Sequence, residues 1–537
     1  MIRDLLAGIG YGSWVLPALL TWPLIGAALV VLLARDAGPG GDGAAAVDGP
    51  RDPRVLATAV LIGEAVLALG LWAYFDPSLT TWQARVELPW IPEWGARLTL
   101  GVDGLSLVMV LLTALVMPLA VLGSWRGVGE RPASYYALLL ALTTGIVGVF
   151  VSLDLLLFYL CWELVLIPMY FMIGISGRGE RTAASLQYFI VATLGSLLML
   201  ASIVALWSAA GRHTFDIDQT IAAVRGTVPF AQQRWLFLGF FAALAIKSAY
   251  FPLHSWLPGA QRSAPTSAAV ALGIKVGTYG MLRFALPLFP AAALDPTLRV
   301  TIAGVAVAGI LYGALVAAVQ PDLRRLASFA SVSHLGFVVL GIFALTAESM
   351  QGAMLVMVSH GVTLGALFVL AGILEDRTGT SALDRFGGLA RTLPVFAVAM
   401  TIVALSALGL PGTNGFVGEF LVLLGAFRTY PGLTLIATVG VILAAVYILG
   451  ALQRVLFTAR RDPSDDAPDA AVLPVTRVLR DLDRREAFVL AAFAVAIVWL
   501  GVAPAATLRR MEGPIDRIVA QVQNGATAGA TTAAVAP

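Results

Sequence analysis

The chain has 537 residues, of which 59% are hydrophobic and only 12% are charged, and its mean hydropathy is +0.88. Soluble proteins carry about twice that share of charged residues, so this composition excludes a soluble globular enzyme and a disordered chain. A formal net charge of +2 gives no reason to expect a nucleic-acid partner. The single cysteine, Cys161, excludes internal disulfides and any cysteine-ligated cluster.

Fourteen apolar segments of about 20 residues or more follow each other along the chain, each long enough to cross a bilayer. They predict an all-α polytopic membrane protein with about 14 transmembrane helices. Pro411 and Gly412 predict a break in the longest segment, and the first segment is expected to be an uncleaved span. The predicted spans are 14–34, 54–75, 102–123, 134–152, 153–175, 183–209, 233–258, 264–290, 298–320, 323–346, 349–374, 393–427, 432–457 and 486–504.

The connections between the spans are short, and their arginines predict the orientation. Connections after odd-numbered spans, counted with the span ends that adjoin them, hold 20 Arg, against 11 in the remaining connections, their adjoining span ends and the tails; Arg283 lies within a span. The positive-inside rule therefore places the odd-numbered connections, including the basic loop 458–485, in the cytoplasm and both termini outside. The polar stretch 76–100 contains two short β-prone runs and predicts a hairpin. The linker at 38–43 matches G-x-G-x-x-G but lacks the flanking strand and helix of a dinucleotide site.

Several ionisable residues fall inside the apolar spans. A charge at the bilayer centre costs about 2.5–3.5 kcal/mol on insertion scales, so such residues are functional candidates that need partners. Three of the four histidines belong to this set. Its members are Glu64, Asp154, Glu163, Lys247, His254, Lys275, His334, His360 and Glu419.

Glu163 and Lys247 are expected to form an ion pair between neighbouring helices. At ~4 Å and an effective dielectric constant near 20 their attraction is about 4 kcal/mol, comparable to the insertion cost. The alternative is a purely structural pair that fixes helix packing.

The chain has 32 Arg and only two Lys, Lys247 and Lys275, and both lysines lie in apolar spans. Codon usage in a GC-rich genome accounts for the scarcity of lysine but not for this placement. A buried lysine can release its proton near neutral pH and an arginine cannot, so we interpret the two lysines as proton carriers.

Two of the charged spans are predicted to be interrupted. Pro252, after Lys247, and Pro411, before Glu419, each remove a helical hydrogen bond. Broken helices in corresponding positions of two halves indicate an inverted-repeat transporter. The spacing from Glu163 to Lys247 is 84 residues and that from His334 to Glu419 is 85, which agrees loosely with such a repeat.

Other candidates are less specific. His254 is two helical turns after Lys247 and would share its face, as a relay member or a gate, if Pro252 only kinks the helix. Gly273 and Gly277 flank Lys275 in a pattern of small residues that brings helices close together. Each isolated histidine can also be a satisfied core residue. Asp154 can equally cap a helix, and Glu64 is the weakest candidate.

Four blocks of this sequence resemble the antiporter-like, proton-pumping membrane subunits of respiratory complex I, NADH–quinone oxidoreductase. The same family includes subunits of cation/proton antiporters and membrane-bound hydrogenases. The resemblance covers roughly residues 100–460. The blocks are DLLLFYLCWELVLIPMYFMIG at 154–174, LAIKSAYFPLHSWLPGAQRSAPTSAAVALGIKVGTYGMLR at 244–283, DLRRLASFASVSHLG at 322–336 and LPGTNGFVGEF at 410–420.

The resemblance is to the M-type subunits in particular, because Glu419 stands where the L and N types usually carry lysine. It implies two inverted five-helix repeats at 134–290 and 298–457, with further helices in 1–133 and 458–537. It also implies a proton relay. Its expected members are Glu163 and Lys247 as the gating pair, Lys275 as the central lysine, His334 and His360 as further members and Glu419 as the terminal acid.

The sequence departs from the family's usual reading at Ala249, Gly259 and Gln261. These changes affect polar contacts near the cytoplasmic end and leave the titratable residues in place.

No motif of the chain binds NADH, flavin or iron–sulfur centres, and no metal site is expected. The resemblance therefore implies that NADH, FMN, iron–sulfur clusters and quinone belong to partner subunits. The expected partners are L-type and N-type membrane subunits and a peripheral redox arm, within the lipid bilayer of a bacterial inner membrane.

Three alternative functions fit parts of the pattern. A subunit of a cation/proton antiporter or of a membrane-bound hydrogenase would have the same fold. A stand-alone solute transporter predicts a pocket of aromatic and varied polar residues, whereas these residues are nearly all titratable. A structural scaffold predicts that Glu163→Gln and Lys247→Ala preserve pumping.

Overall fold

The structure is a computed structural model that describes residues 2–34, 51–128, 131–225, 227–458 and 479–533. In this part of the chain, twelve helices are long and apolar enough to cross a membrane by length and composition. The other two predicted spans, 233–258 and 393–427, are each divided into two shorter helices. The predicted fold class is therefore confirmed. The linker 38–43 and most of the basic loop 458–485 lie outside the described residues.

The N-terminal part combines helices with a two-stranded antiparallel hairpin. Gly95 turns the hairpin with a φ of +69°, a backbone conformation that glycine adopts readily. The hairpin predicted for 76–100 is confirmed, and it extends two residues further. The elements are α1 (Ile2–Gly8), α2 (Tyr11–Leu33), α3 (Pro53–Tyr74), β1 (Gln83–Ile91) and β2 (Ala96–Val102).

The first half of the bundle follows the hairpin. Asp154 separates two helices in the nearly continuous apolar run, because its carboxylate accepts hydrogen bonds from the backbone N–H groups of Leu156 and Leu157. Asp154 is thus a helix cap, one of the two roles considered for it. The helices are α4 (Gly104–Gly123), α5 (Pro132–Val151), α6 (Leu155–Ser176), α7 (Arg181–Ala209), α8 (Ile217–Val224) and α9 (Phe230–Lys247).

The two spans that carry the lysines are both broken. Helix α9 ends at Lys247, and residues 248–255 form turns before the next helix begins. The following span, expected to be one glycine-flanked helix, is also interrupted, because residues 272–275 are not helical. The elements that follow α9 are α10 (Trp256–Ser263), α11 (Thr266–Ala271), α12 (Val276–Gly280), a π-helical turn (Met281–Ala285), α13 (Leu286–Leu288) and α14 (Pro290–Leu294).

The second half of the bundle contains the most deeply buried helices. Every residue in the most apolar windows of α16 and α17 is buried, because both helices are apolar on all sides and other helices surround them. A break at 408–413 separates α19 from α20, as Pro411 predicted. The helices are α15 (Pro296–Ala318), α16 (Leu323–Ala344), α17 (Ala347–Thr378), α18 (Leu389–Thr392), α19 (Pro394–Ala407), α20 (Asn414–Thr429) and α21 (Pro431–Leu456).

Two helices complete the described chain, α22 (Arg484–Val502) and α23 (Ala505–Ala533). The region of α23 was expected to be a tail, and its helix corrects that expectation. This helix is amphipathic and packs against α4, α14 and α17. Its buried stripe consists of Met511, Ile515, Ile518 and Val522. That spacing of three and four residues is the sequence signal that marks the helix.

Candidate functional site

Lys247 is the last residue of α9, where the helical hydrogen bonds stop before Pro252. Its Nζ donates a hydrogen bond to the Tyr188 hydroxyl on α7 at 3.1 Å. The ammonium group also lies 5.5 Å from the ring centre of Trp162 and 5.4 Å from that of Tyr188. Aromatic faces attract cations, so these rings stabilise Lys247 in a largely apolar setting.

Glu163 does not form the expected ion pair with Lys247 within 4 Å in the described part of the chain. One carboxylate oxygen of Glu163 is buried and has no hydrogen-bond partner. The predicted direct contact is therefore absent in this conformation, although the two opposite charges still interact through space. The physical reason is that Tyr188 takes up the ammonium group instead. The tyrosine was missed because a residue on another helix becomes a neighbour only through helix packing.

Lys275 lies at the break between α11 and α12, and its side chain is buried. Its Nζ donates to the Ser331 hydroxyl on α16 at 3.0 Å. The same hydroxyl lies 3.0 Å from Nε2 of His360 on α17. Ser331 therefore joins the central lysine to a histidine of the second half. Ser331 was not predicted, because the same segment also carries Ser328 and Ser333 and a neutral hydroxyl gives no signal that distinguishes it.

His334 and Glu419 meet at the other end of this set. Nδ1 of His334 on α16 is 2.6 Å from Oε1 of Glu419 on α20. The ring centres of His334 and His360 are 5.3 Å apart. The Tyr447 hydroxyl lies 3.5 Å from the remaining ring nitrogen of His334, Nε2. Four of the predicted residues are thus neighbours in space, and Ser331 lies between the first two of them. In spatial order the residues are Lys275, Ser331, His360, His334 and Glu419. We call this set the central row.

A small cavity of about 30 Å³ adjoins the two histidines and Glu419. That volume accommodates a water molecule, and polar groups line part of it. The cavity therefore offers a place for water that adjoins both imidazole rings, and no hydrogen bond joins the two rings directly in the described residues.

The break between α19 and α20 is held by the Asn414 side chain. Its Oδ1 accepts a hydrogen bond from the Ser406 hydroxyl at 2.5 Å, and its Nδ2 donates to the Ser359 carbonyl at 3.2 Å. These contacts join both sides of the break to α17. They fix the start of the short helix that presents Glu419 to His334.

The two broken lysine spans contact each other through their backbones. A Cβ placed on Gly277 would lie 2.6 Å from the carbonyl oxygen of Leu244 and 2.9 Å from the backbone nitrogen of Ser248, so only glycine permits this approach. Gly277 follows Lys275 by two residues and Ser248 directly follows Lys247. No hydrogen bond joins the two lysine side chains in the described residues. The chain therefore brings the two spans together next to both lysines, while each ammonium group is bonded to a different hydroxyl.

His254 and Glu64 lie apart from these groups. The helix ends at Lys247, so His254 does not share a helical face with it; the predicted geometry is wrong because Pro252 stands in a full break. The His254 ring packs on Phe251 and Tyr312, and its Nδ1 has no partner. Glu64 is fully buried in α3, and neither carboxyl oxygen has a hydrogen-bond partner.

The sequence matches the family model described as "NADH:quinone oxidoreductase/Mrp antiporter, TM" over residues 152–444. This match covers more than half of the chain. The chain belongs to this family.

Relatives of known name support the assignment along nearly the whole chain. NADH-quinone oxidoreductase subunit M of Rhodobacter capsulatus is 38% identical over 493 residues, which are 90% of this chain and 92% of that protein. F(420)H(2) dehydrogenase subunit M of Methanosarcina mazei is 36% identical, with 85% of this chain and 91% of that protein covered. The resemblance to M-type subunits is thereby confirmed.

A solved structure shares the fold. A chain of respiratory complex I from Thermus thermophilus superimposes with a TM-score of 0.82 and 30% sequence identity. The superposition covers 95% of this chain and 99% of that chain.

In the part of the chain that the structure describes, no three His, Cys, Asp or Glu side chains are grouped as metal ligands.

Proposed function

We propose that this chain is a proton-translocating subunit of the membrane arm of NADH–quinone oxidoreductase. The observation that carries the proposal is the central row, in which buried titratable groups from four different segments follow one another through the interior. The names of the relatives supply the reaction to which translocation is coupled. Buried ionisable groups that cost insertion energy and meet in one row are typical of proton relays.

A proton on Lys275 would pass through the Ser331 hydroxyl to His360, since each step joins atoms 3.0 Å apart. A hydroxyl can accept one proton while it donates another, which suits it to this position. From His360 the proton would reach His334 through water in the cavity between the rings. The 2.6 Å contact then passes it to Glu419.

The open arrangement of Glu163 and Lys247 would be one of two states of a gate. In the observed state Lys247 is bonded to Tyr188, while Glu163 retains an unpartnered oxygen. Movement of Lys247 towards Glu163 would close the predicted pair and strengthen the proton affinity of the lysine. Opening would weaken it and release a proton towards Lys275. Water is required for this step because no described side chain bridges the two lysines.

This function assigns the electron-transfer chemistry to other chains. NADH, FMN, iron–sulfur clusters and quinone would bind to partner subunits, and this chain would supply no redox centre. Its neighbours would be the L-type and N-type subunits and the peripheral arm. The protein would lie in the inner membrane of a bacterium with both termini outside, as the arginine distribution predicts.

A second candidate concerns the electron donor and the exchanged ion. The relative from Methanosarcina mazei carries the name of a dehydrogenase for F(420)H(2), which shows that a close sequence can serve another donor complex. The family model also includes Mrp antiporters. A subunit of such a complex would use the same row without NADH. Copurification of flavin or iron–sulfur subunits with this chain separates these cases.

The test is NADH-driven proton uptake by inverted membrane vesicles that contain the whole complex. We expect Glu163→Gln and Lys247→Ala to abolish uptake while the complex assembles. Arg509→Ala is the matched control, because this arginine is exposed on α23 and lies outside the row. Wild-type uptake in both variants would contradict the proposal and would favour a structural scaffold.

A further inference from the structure

The half-span that follows Lys275 is short, and its attachment determines where the lysine lies. It consists of α12, the π-helical turn and α13, and it begins directly after the break at 272–275. Lys275 directly precedes α12, and its carbonyl accepts a hydrogen bond from the backbone N–H of Tyr279 at 3.2 Å, so the lysine backbone follows the position of the half-span. Contacts further along the half-span therefore fix the position of Lys275. π-Helical turns inside α-helices are often found at functional sites.

The strongest of these contacts is an ion pair inside the protein. Arg283, in the π-helical turn, pairs with Asp103, and their side chains are only 3% and 2% exposed. Nε of Arg283 also donates to the Tyr279 hydroxyl at 3.1 Å, and that hydroxyl donates to the carbonyl of Phe150 at 2.9 Å. The half-span is thereby fastened to α5 and to the start of α4.

Asp103 has a second arginine partner, and it comes from the C-terminal helix. Nη2 of Arg517 on α23 lies 3.0 Å from the second carboxylate oxygen of Asp103. Both guanidinium groups also lie over the ring of Trp82, at 4.8 Å for Arg283 and 4.6 Å for Arg517. One carboxylate and one indole thus connect the Lys275 half-span to α23.

The backbone geometry shows that this attachment is specific. A Cβ placed on Gly104, next to Asp103, would lie 1.6 Å from the carbonyl oxygen of Arg510 on α23. Only glycine lets α23 pack directly on the start of α4. Nη1 of Arg517 also donates to the carbonyl of Thr80, just before the hairpin, at 2.8 Å.

We propose that Arg517, acting through Asp103 and Arg283, is a positioning residue that sets the contact between Lys275 and Ser331. The inference rests on the proposed function, because it assigns a role in proton transfer. It adds a determinant outside the central row, on a helix that is not a predicted span. In this view the C-terminal helix holds the half-span in the orientation that directs the Lys275 ammonium to the hydroxyl.

The test uses Arg517→Ala in the whole complex, because Asp103 and Arg283 are buried and their loss endangers folding, whereas the Arg517 side chain is 24% exposed. Proton uptake by inverted vesicles is normalised to NADH oxidation by a soluble acceptor that takes electrons before the membrane arm. We expect a fall of about 5-fold or more, the lower end of coupling between linked sites. Arg517→Lys should restore much of the rate, and Arg509→Ala should match the wild type.

A double-variant cycle separates positioning from general damage. Distant substitutions that share no partner have independent effects, so their rate factors multiply. If Arg517 acts through Lys275, Arg517→Ala should have clearly less effect in a Ser331→Ala background than alone. The inference would be overturned if the rate factors of Arg517→Ala and Ser331→Ala simply multiply in the double variant. It would also be overturned if Arg517→Ala alone pumps at the wild-type rate. Failure of the proposed function would look different, since Ser331→Ala alone would then pump at the wild-type rate.

Discussion

Replacement of Ser331 by alanine is the substitution that isolates one step of the central row. The hydroxyl is 3.0 Å from Lys275 Nζ and 3.0 Å from His360 Nε2, and no other described side chain links these two nitrogens. A hydrogen bond to a charged group contributes about 1.5–3 kcal/mol. Adding that amount to the transfer barrier slows the step about 10- to 150-fold, since about 1.4 kcal/mol corresponds to tenfold in rate.

The assay is the initial rate of NADH-driven proton uptake by inverted vesicles, normalised to the amount of assembled complex. Ser328→Ala is the matched control. Ser328 is also fully buried on α16, but its hydroxyl donates only to the carbonyl of Arg324 on its own helix. We expect Ser331→Ala to lose at least tenfold in rate and Ser328→Ala to pump normally. Equal rates for the two variants would refute the reasoning that protons pass through Ser331.

Three further substitutions test other parts of the structure. Gly104→Ala should lower the unfolding temperature of the complex, because the new methyl group clashes with the carbonyl of Arg510. Gly432→Ala is the control and should leave that temperature unchanged, because its methyl group meets no atom within 4 Å. Asn414→Ala should reduce proton uptake with assembly retained, because the break that presents the terminal acid loses its bridging side chain; unchanged uptake would argue against this. Lys247→Arg should assemble and lose transport, and a pumping variant would contradict the role given to lysine.

The sequence predicts the fold well because the bilayer demands long apolar segments. The span limits agree with the helices, and Pro252 and Pro411 locate two breaks from covalent chemistry alone. The break at Lys275 was not predicted, because no proline marks it and Gly273 was interpreted as a packing residue. The helix α23 was missed because its apolar stripe is narrow and its mean composition is polar.

The site could be predicted as a set of residues but not as a set of contacts. Intramembrane charge identified Lys275, His334, His360 and Glu419 without a structure, because such charges are costly. The contacts between these residues depend on which helices pack against each other, which the sequence does not show. Ser331 is neutral, so intramembrane charge could not identify it. The same limit applies to the pair of Glu163 and Lys247, where a tyrosine from a third helix changes the outcome.

The buried ion pairs divide into two kinds. Arg283 keeps its charge under all ordinary conditions, and its pair with Asp103 fastens segments together. The groups of the central row can gain and lose protons, and their contacts join lysine, histidine and glutamate. The chain thus uses arginine to attach its segments and lysine where, in our proposal, a proton must leave.

The most direct test of this account is proton uptake by vesicles that carry Lys275→Arg. The control is Arg509→Lys, which exchanges the same two residue types at an exposed position. The arginine keeps the positive charge and can still donate to Ser331, but it cannot release its proton. We predict an assembled complex that takes up no protons with NADH, while Arg509→Lys pumps at the wild-type rate. Sustained uptake with arginine at position 275 would show that this residue supplies only charge, and the relay would be contradicted.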